Sequence, residues 1–273
     1  MSDNIKSKFP TEADIVIVGV GGIVGSMLAY WLAELGQKNI VGLEKSTIIP
    51  SDIASTAHAS DFVYNTTHDK LGCWTTAYSR KFYEDNGFFL KKGGLEICRK
   101  GDDARWEELK RKVGSGKAFG TNVRLISASE AKEKFPLLDE ESLMGAMWDP
   151  DAGLVIPRSQ DVVSFAVESA KDKGALKTFT DTPAIDFEVE NGRVTGVKTD
   201  KGFIKADKVV ICSGIWGPLM GKKAGVPVPL MPLEHPLLFF GPLPEAQGTE
   251  DFLVYPLLRD QGNSAYVRDT GRL

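Results

Sequence analysis

The stretch Ala13-Asp14-Ile15-Val16-Ile17-Val18-Gly19-Val20-Gly21-Gly22-Ile23-Val24-Gly25 decides how the rest of the chain is read. Residues 13–18 form a short apolar run rich in β-branched side chains, the pattern of a strand buried on both faces of a parallel sheet. The glycines follow, and then a helix-forming run, Ser26–Leu35, that closes on Gly36 as its C′ residue. A turn stripped of side chains lets backbone N–H groups and a positive helix N-terminus approach a pyrophosphate. The spacing is not G-x-G-x-x-G. Gly25 comes one position late, so the turn reads as lengthened, with Gly22-Ile23-Val24-Gly25 opening the helix. Residues 40–43 predict a second strand ending in Glu44, 19 residues past Gly25. A carboxylate there can accept hydrogen bonds from both hydroxyls of an adenosine ribose and disfavours a 2′-phosphate. Strand, glycine turn, helix and acid in this order predict a dinucleotide site.

Residues 15–35 are apolar enough to suggest a membrane span, but the glycines at the start, Glu34 near the end and the adjoining second strand argue against one. No basic leader or small-residue cleavage site precedes them. The expected location is cytoplasmic, or the mitochondrial matrix in a eukaryote. With 273 residues, 42% hydrophobic, the chain can bury a substantial core as one large domain or two interleaved ones. A net charge of −4 leaves no electrostatic footprint for nucleic acid. Cys73, Cys98 and Cys212 show neither C-x-x-C nor metal-ligand spacing and predict a reducing compartment.

Residues 1–11 read as a polar, disordered lead. Helices are predicted over 69–86, 102–113 and 158–173, the last capped by Ser159, with a short one starting at the Ser127/Glu130 capping-box pattern and stopping at Pro136. Strands are predicted over 95–99, 143–148, 184–189, 193–199 and 206–212, with Asn191-Gly192 as a hairpin turn. A nucleotide-binding half is thus separated by an α+β insertion from a later helix, hairpin and strand that can complete the same sheet. The predicted fold is α/β: a split FAD-binding Rossmann-like sheet of the glutathione-reductase type, with an interleaved α+β substrate domain.

The chain resembles the N-terminal part of the D-amino-acid-oxidase (DAO) superfamily, most nearly its dimethylglycine oxidase, dimethylglycine dehydrogenase and sarcosine dehydrogenase group. The resemblance runs from Asp14 to the last residue. It rests on Ser55-Thr56-Ala57-His58-Ala59, Gly93-Gly94-Leu95-Glu96, Pro136-Leu137-Leu138, Gly192-Arg193-Val194-Thr195-Gly196-Val197, Gly214-Ile215-Trp216-Gly217, Met231-Pro232-Leu233-Glu234-His235 and Tyr266-Val267-Arg268. Two features depart from the group: the lengthened glycine turn, and Ser60-Asp61 where the group has Pro-Gly. The group also continues past the point matching Leu273, so the fold is expected to be incomplete at the C-terminus. The implied division is 13–90 and 150–222 for FAD, and 91–149 and 223–273 for substrate.

The resemblance implies residue roles. His58 corresponds to the histidine joined to the flavin 8α-methyl group. Gly19, Gly21, Gly22, Ile23, Val24 and Gly25 would hold the pyrophosphate, with Glu44 and Lys45 flanking the ribose. Ser55 and Thr56 would bind phosphate or ribityl oxygens, Phe62 would pack at the ring, and Ala184 and Gly214 would approach the cofactor through their backbone. His235 and Tyr266 fall on the substrate side, where a near-neutral imidazole can accept the amine proton and a phenol can orient it. Arg268, two residues beyond Tyr266, has the parity to pair with a substrate carboxylate.

The implied reaction is hydride transfer from an N-methyl amino acid such as dimethylglycine or sarcosine to flavin N5. The resulting iminium is hydrolysed, or passed to tetrahydrofolate where folate domains exist. Oxygen or an electron-transfer flavoprotein would take the electrons. The alternatives are a non-catalytic regulatory or scaffold homologue, or a fragment, and a nicotinamide-dependent dehydrogenase.

Overall fold

The computed structural model describes residues 9–65, 68–244 and 253–269. The chain divides into two compact units. One comprises the residues up to Ala59 with Arg158–His235; the other comprises Ser60–Pro157 with the residues from Pro236 onward.

In the first unit, β1 (Glu12–Val18), α1 (Ile23–Glu34) and β2 (Ile40–Leu43) form the expected βαβ opening. α5 (Ser159–Asp172) leads to β9 (Leu176–Phe179), an edge strand for which the sequence carried no clear signal. β10 (Ala184–Glu190), β11 (Arg193–Thr199) and β12 (Gly202–Ile211) follow as an antiparallel meander. The sheet order is β10-β11-β12-β1-β2-β9, and β12, β1, β2 and β9 run parallel.

The alternation in β1 explains the apolar run. Ile15 and Ile17 pack toward Ala29 and Ala33 of α1 and Val163 and Val167 of α5. Val16 and Val18 pack on the opposite face with Phe187, Val197 and Ile204 of the meander. Both faces of the strand are therefore core, and no polar side of the strand is needed. Asn191 and Gly192 both hold positive φ, 50° and 77°, as a two-residue hairpin of the right twist requires.

Gly25 lies in the first turn of α1, where the helix meets the strand end. A Cβ there would lie 2.1 Å from the carbonyl oxygen of Gly19, a backbone atom with no rotamer to change. The late glycine is thus a packing requirement. Gly25→Ala is expected to cost about 1–3 kcal/mol as an overpacked core site, read as a fall in the midpoint of urea unfolding.

The second unit holds α2 (Lys70–Asp85), α3 (Asp103–Ala118) and α4 (Ala128–Lys134). Its larger sheet has the order β14-β13-β5-β7-β6, built from β5 (Gly94–Arg99), β6 (Arg124–Ile126), β7 (Leu143–Asp149), β13 (Leu257–Asp260) and β14 (Ala265–Val267). The smaller sheet, β3-β8-β4, joins Phe62–Val63, Gly153–Val155 and Phe89–Lys91. Ser127 caps α4 as expected, accepting a 3.1 Å bond from the Glu130 amide.

Several expectations are corrected. Ser159 is the first residue of α5 and not its cap; Arg158 occupies the cap position, and its side chain does not cap the helix. The division of the chain also differs from 13–90/150–222 against 91–149/223–273. Residues 60–90 and 150–157 join the second unit because β3 and β4 pair with β8, and residues 223–235 stay with the first. Residues 1–8 of the expected disordered lead lie outside the described residues. Phe9 is in place, its ring 5.3 Å from that of Phe179.

Candidate functional site

The carboxyl ends of β1, β2 and β12 gather the glycine turn, Glu44 and the segment after Cys212, the position where open α/β sheets bind ligands. The amides of Gly19 and Val20 both bond the Leu43 carbonyl, at 2.8 and 3.1 Å, drawing the turn over the end of β2. Gly19 has φ +93°, and a Cβ on it would lie 2.6 Å from the Cys212 carbonyl oxygen, so the turn runs against the end of β12 as well.

Glu44 is the hub. It is 5% exposed. Oε2 accepts from the Gly21 amide at 2.9 Å; Oε1 accepts from the Ser46 amide at 2.9 Å and the Ser51 hydroxyl at 3.1 Å. The Ser51 amide in turn bonds the Gly21 carbonyl at 2.9 Å. A carboxylate has about four acceptor positions, so one on Oε2 remains for a ribose hydroxyl. Two residues before Ala184, the Thr182 amide donates to the Glu44 carbonyl at 2.9 Å, which brings the start of β10 beside this acid.

The N-terminus of α1 has no side-chain cap at Gly22 and no acid in its first turn. Its one side-chain acceptor arrives from elsewhere: Thr56 Oγ1 accepts from the Ile23 amide at 3.0 Å. That bond seats the 3₁₀ turn Ser55–His58 on the glycine loop. Arg158 steadies the far side, its Nη2 donating to the carbonyls of Ala57 and Ala59 at 3.4 and 3.3 Å. His58, between them, is solvent-exposed, and its Nε2 bonds the Asp52 carbonyl at 3.1 Å. A carbonyl only accepts, so Nε2 is the donor in this bond, and Nδ1 is the ring nitrogen outside it.

Two further groups complete this edge. Ser213 Oγ is shut off from solvent without a partner, and its Cα would be 3.2 Å from a Cβ on Gly19. Lys45 Nζ sits 5.0 Å from the ring centroid of Trp216, just past Gly214 (φ +51°). A helix end with no acid in its first turn, a buried acid with a spare acceptor position and an orphaned hydroxyl fit an adenine dinucleotide. Ser213, Ser51 and Arg158 were missed in the sequence. Ser213 could have been found, since it directly follows a predicted buried strand.

The second unit brings together Phe62, Tyr64, Arg259 and Tyr266. The ring centroids of Phe62 and Tyr266 are 6.3 Å apart, as are those of Phe62 and Tyr64. Burial pushes the Tyr64 phenol far above its ordinary range, so it stays protonated. Arg268 lies beyond the end of β14, so the strand alternation that paired it with Tyr266 does not extend to it. His235 lies in the first unit, exposed and outside any helix or strand. The structure thus groups Tyr266 with Phe62.

Asp260 anchors the same strand. It accepts from Arg99 Nε and Nη2 at 2.9 and 2.7 Å and from Asn263 Nδ2 at 2.8 Å. Burial pushes its carboxyl up, but the bonds from Asn263 and Arg99 outweigh that and hold it below the ordinary carboxylate range. A depressed folded value contributes stability that is present above the unfolded pKa and lost as pH falls through the folded one. Asp260→Asn is expected to lower the melting temperature at neutral pH. The gap from the parent should narrow as pH falls below the carboxylate range, as melts at stepped pH would record.

The profile of the FAD-dependent oxidoreductase family, DAO, matches residues 14–273. The chain belongs to this family. Mitochondrial sarcosine dehydrogenase of Homo sapiens is 29% identical over 280 residues, covering 96% of this chain and 28% of that protein. The mitochondrial pyruvate dehydrogenase phosphatase regulatory subunit of Mus musculus is 30% identical over 235 residues, covering 83% of this chain and 26% of the relative. The chain therefore spans only about a quarter of these relatives' length. Among solved structures, L-proline dehydrogenase from P. horikoshii superposes with a TM-score of 0.77 at 26% identity, covering 96% of this chain and 68% of the other. The family carries the FAD-binding fold expected from the glycine turn. No helix among the described residues is long and apolar enough to cross a membrane.

Proposed function

We propose that the chain forms the FAD-binding and substrate-binding portion of an oxidoreductase acting on the C–N bond of a small N-methyl amino acid of the sarcosine or dimethylglycine type. The carrying observation is the Thr56–Ile23 bond, which holds an exposed histidine two residues from the mouth of the dinucleotide cradle.

Gly21, Gly22 and the first-turn amides of α1 would hold the diphosphate, Glu44 the ribose, and Ser213 a neighbouring oxygen. When bound, FAD supplies the two-electron acceptor for the C–H bond next to nitrogen. The protein's own groups do the rest. Nδ1 of His58 would be the nitrogen turned to the flavin methyl group, since Nε2 bonds the Asp52 carbonyl. Arg158 keeps the turn from swinging away. His235 takes the ammonium proton, so that the nitrogen lone pair is available, and the Tyr266 hydroxyl orients the amine.

Anaerobic mixing of the flavin-loaded protein with sarcosine or dimethylglycine tests this. The expected result is bleaching of the flavin with release of formaldehyde, and no bleaching by glycine. The 30% identity to a phosphatase regulatory subunit favours a second reading, a flavin-fold regulator without turnover. Flavin that dithionite bleaches and no N-methyl amino acid does would select that reading.

A further inference from the structure

We propose that the outer face of α2 is a self-association surface, on which a second copy of this chain packs its own α2 antiparallel about a two-fold axis. α2 is amphipathic and held from beneath. Asp69 caps it, accepting from the Gly72 amide at 2.7 Å, and Cys73 and Phe82 are buried on its inner side. The outer side carries Leu71, Trp74 and Tyr78, whose i, i+3, i+7 spacing puts them on one stripe. They are 68%, 60% and 49% exposed. Scattered apolar side chains in water need no explanation, but a contiguous stripe of them marks a contact surface. The rings of Trp74 and Tyr78 stack with centroids 5.5 Å apart and planes at 29°, so the stripe is ordered before a partner arrives.

The charges on the stripe fit a second copy. Lys70 stands at its N-terminal end, and Lys81 and Asp85 stand at its C-terminal end. An axis between Ala77 and Tyr78 sets Lys70 of one copy against the partner's Asp85, and symmetry repeats the contact. A parallel pair would instead set lysine against lysine and acid against acid, which is repulsive. Asp85 already bonds Lys81 at 2.8 Å, but those side chains are both more than half exposed, and such a pair is too weak to withhold the acid. The same axis lays the Trp74 indole against the partner's Lys81, a stem-and-ammonium contact that an aromatic face accepts. A cavity of about 500 Å³ opens beside the stripe, between α2 and the turn that follows α3, lined in part by Trp74, Ala77 and Phe119. The partner's Tyr78 faces Ala77 across the axis, so each copy offers a ring to the other's opening. A face that carries both knob and hole, and both signs of charge at opposite ends, is complementary to itself.

Sedimentation velocity of the full chain tests this. A species of twice the chain's mass should build up as the concentration rises toward about 200 μM, the regime of a small contact. Trp74→Glu should weaken dimerisation at least about thirtyfold, as loss of a central aromatic anchor does. Lys70→Glu and Asp85→Lys should each weaken it about three- to tenfold, and the double variant should return to within about twofold of the parent, because reversing both ends restores the pairing. All three positions are exposed, so melting temperatures should stay with the parent's. Should Trp74→Glu fail to fold, the charge reversals decide alone. A chain that stays monomeric throughout this range, leaving the face to a different protein, overturns the proposal. So does a dimer that Trp74→Glu leaves intact, which would be built on another face, or a double variant no tighter than the single ones.

Discussion

A His58→Ala protein is expected to release all of its flavin when precipitated with acid, whereas the parent keeps its yellow colour on the polypeptide. Attachment at the flavin methyl needs an imidazole nitrogen with an available lone pair, held where the ring can meet it. Nε2 donates to the Asp52 carbonyl at 3.1 Å, so Nδ1 is the ring nitrogen outside that bond, and the Thr56 hydroxyl ties the turn to the first turn of α1 at 3.0 Å. Because His58 is exposed, the substitution should leave the stability of the apoprotein within about 0.5 kcal/mol of the parent's. Absorbance of the redissolved pellet reads the result. A parent protein that sheds its flavin under the same treatment would refute covalent attachment and leave dissociable FAD.

Glu44→Ala should do the opposite, damaging the fold first and the cofactor site with it. Three donors lose their acceptor at once: the Gly21 amide, the Ser46 amide and the Ser51 hydroxyl. An orphaned buried donor costs about 1–3 kcal/mol, so the sum is about 3 kcal/mol or more. On a chain of this size that is a fall in melting temperature of roughly 10 °C. Freed from Oε2, Gly21 has no reason to hold the turn closed, and FAD affinity should drop with it. Glu44→Gln keeps one side-chain acceptor and should lie between the two. If Glu44→Ala melted with the parent and bound FAD as well, the hub assignment would fail.

The opening βαβ was legible because its signals are local. β-branched residues buried on both faces, glycines at the turn and an acid at the end of the second strand each act within a few residues of themselves. The hairpin at Asn191-Gly192 was legible for the same reason, since positive φ at both positions belongs to those residue types. The boundary of the two units was not. It rests on β3, β4 and β8, strands of two or three residues whose partners lie far away in sequence and which carry no periodicity of their own. Arg259 was invisible as well. A charged residue in Leu257-Leu258-Arg259-Asp260 reads as a strand end, and only pairing with β14 sets it opposite Tyr266.

Gly25 was legible only in half. Its late position predicted a lengthened turn, and the structure adds the cause, a helix backbone lying against the Gly19 carbonyl. The chain's own order of residues therefore determined that a dinucleotide-binding βαβ exists, which acid closes it and which histidine follows, because backbone freedom, burial pattern and side-chain type act at short range. Tertiary structure alone decided which hydroxyl reaches the helix end, which imidazole nitrogen meets a carbonyl, and which arginine lies over the Tyr266 ring. Those outcomes depend on register and close approach between distant segments, where a shift of one residue turns a side chain to the other face.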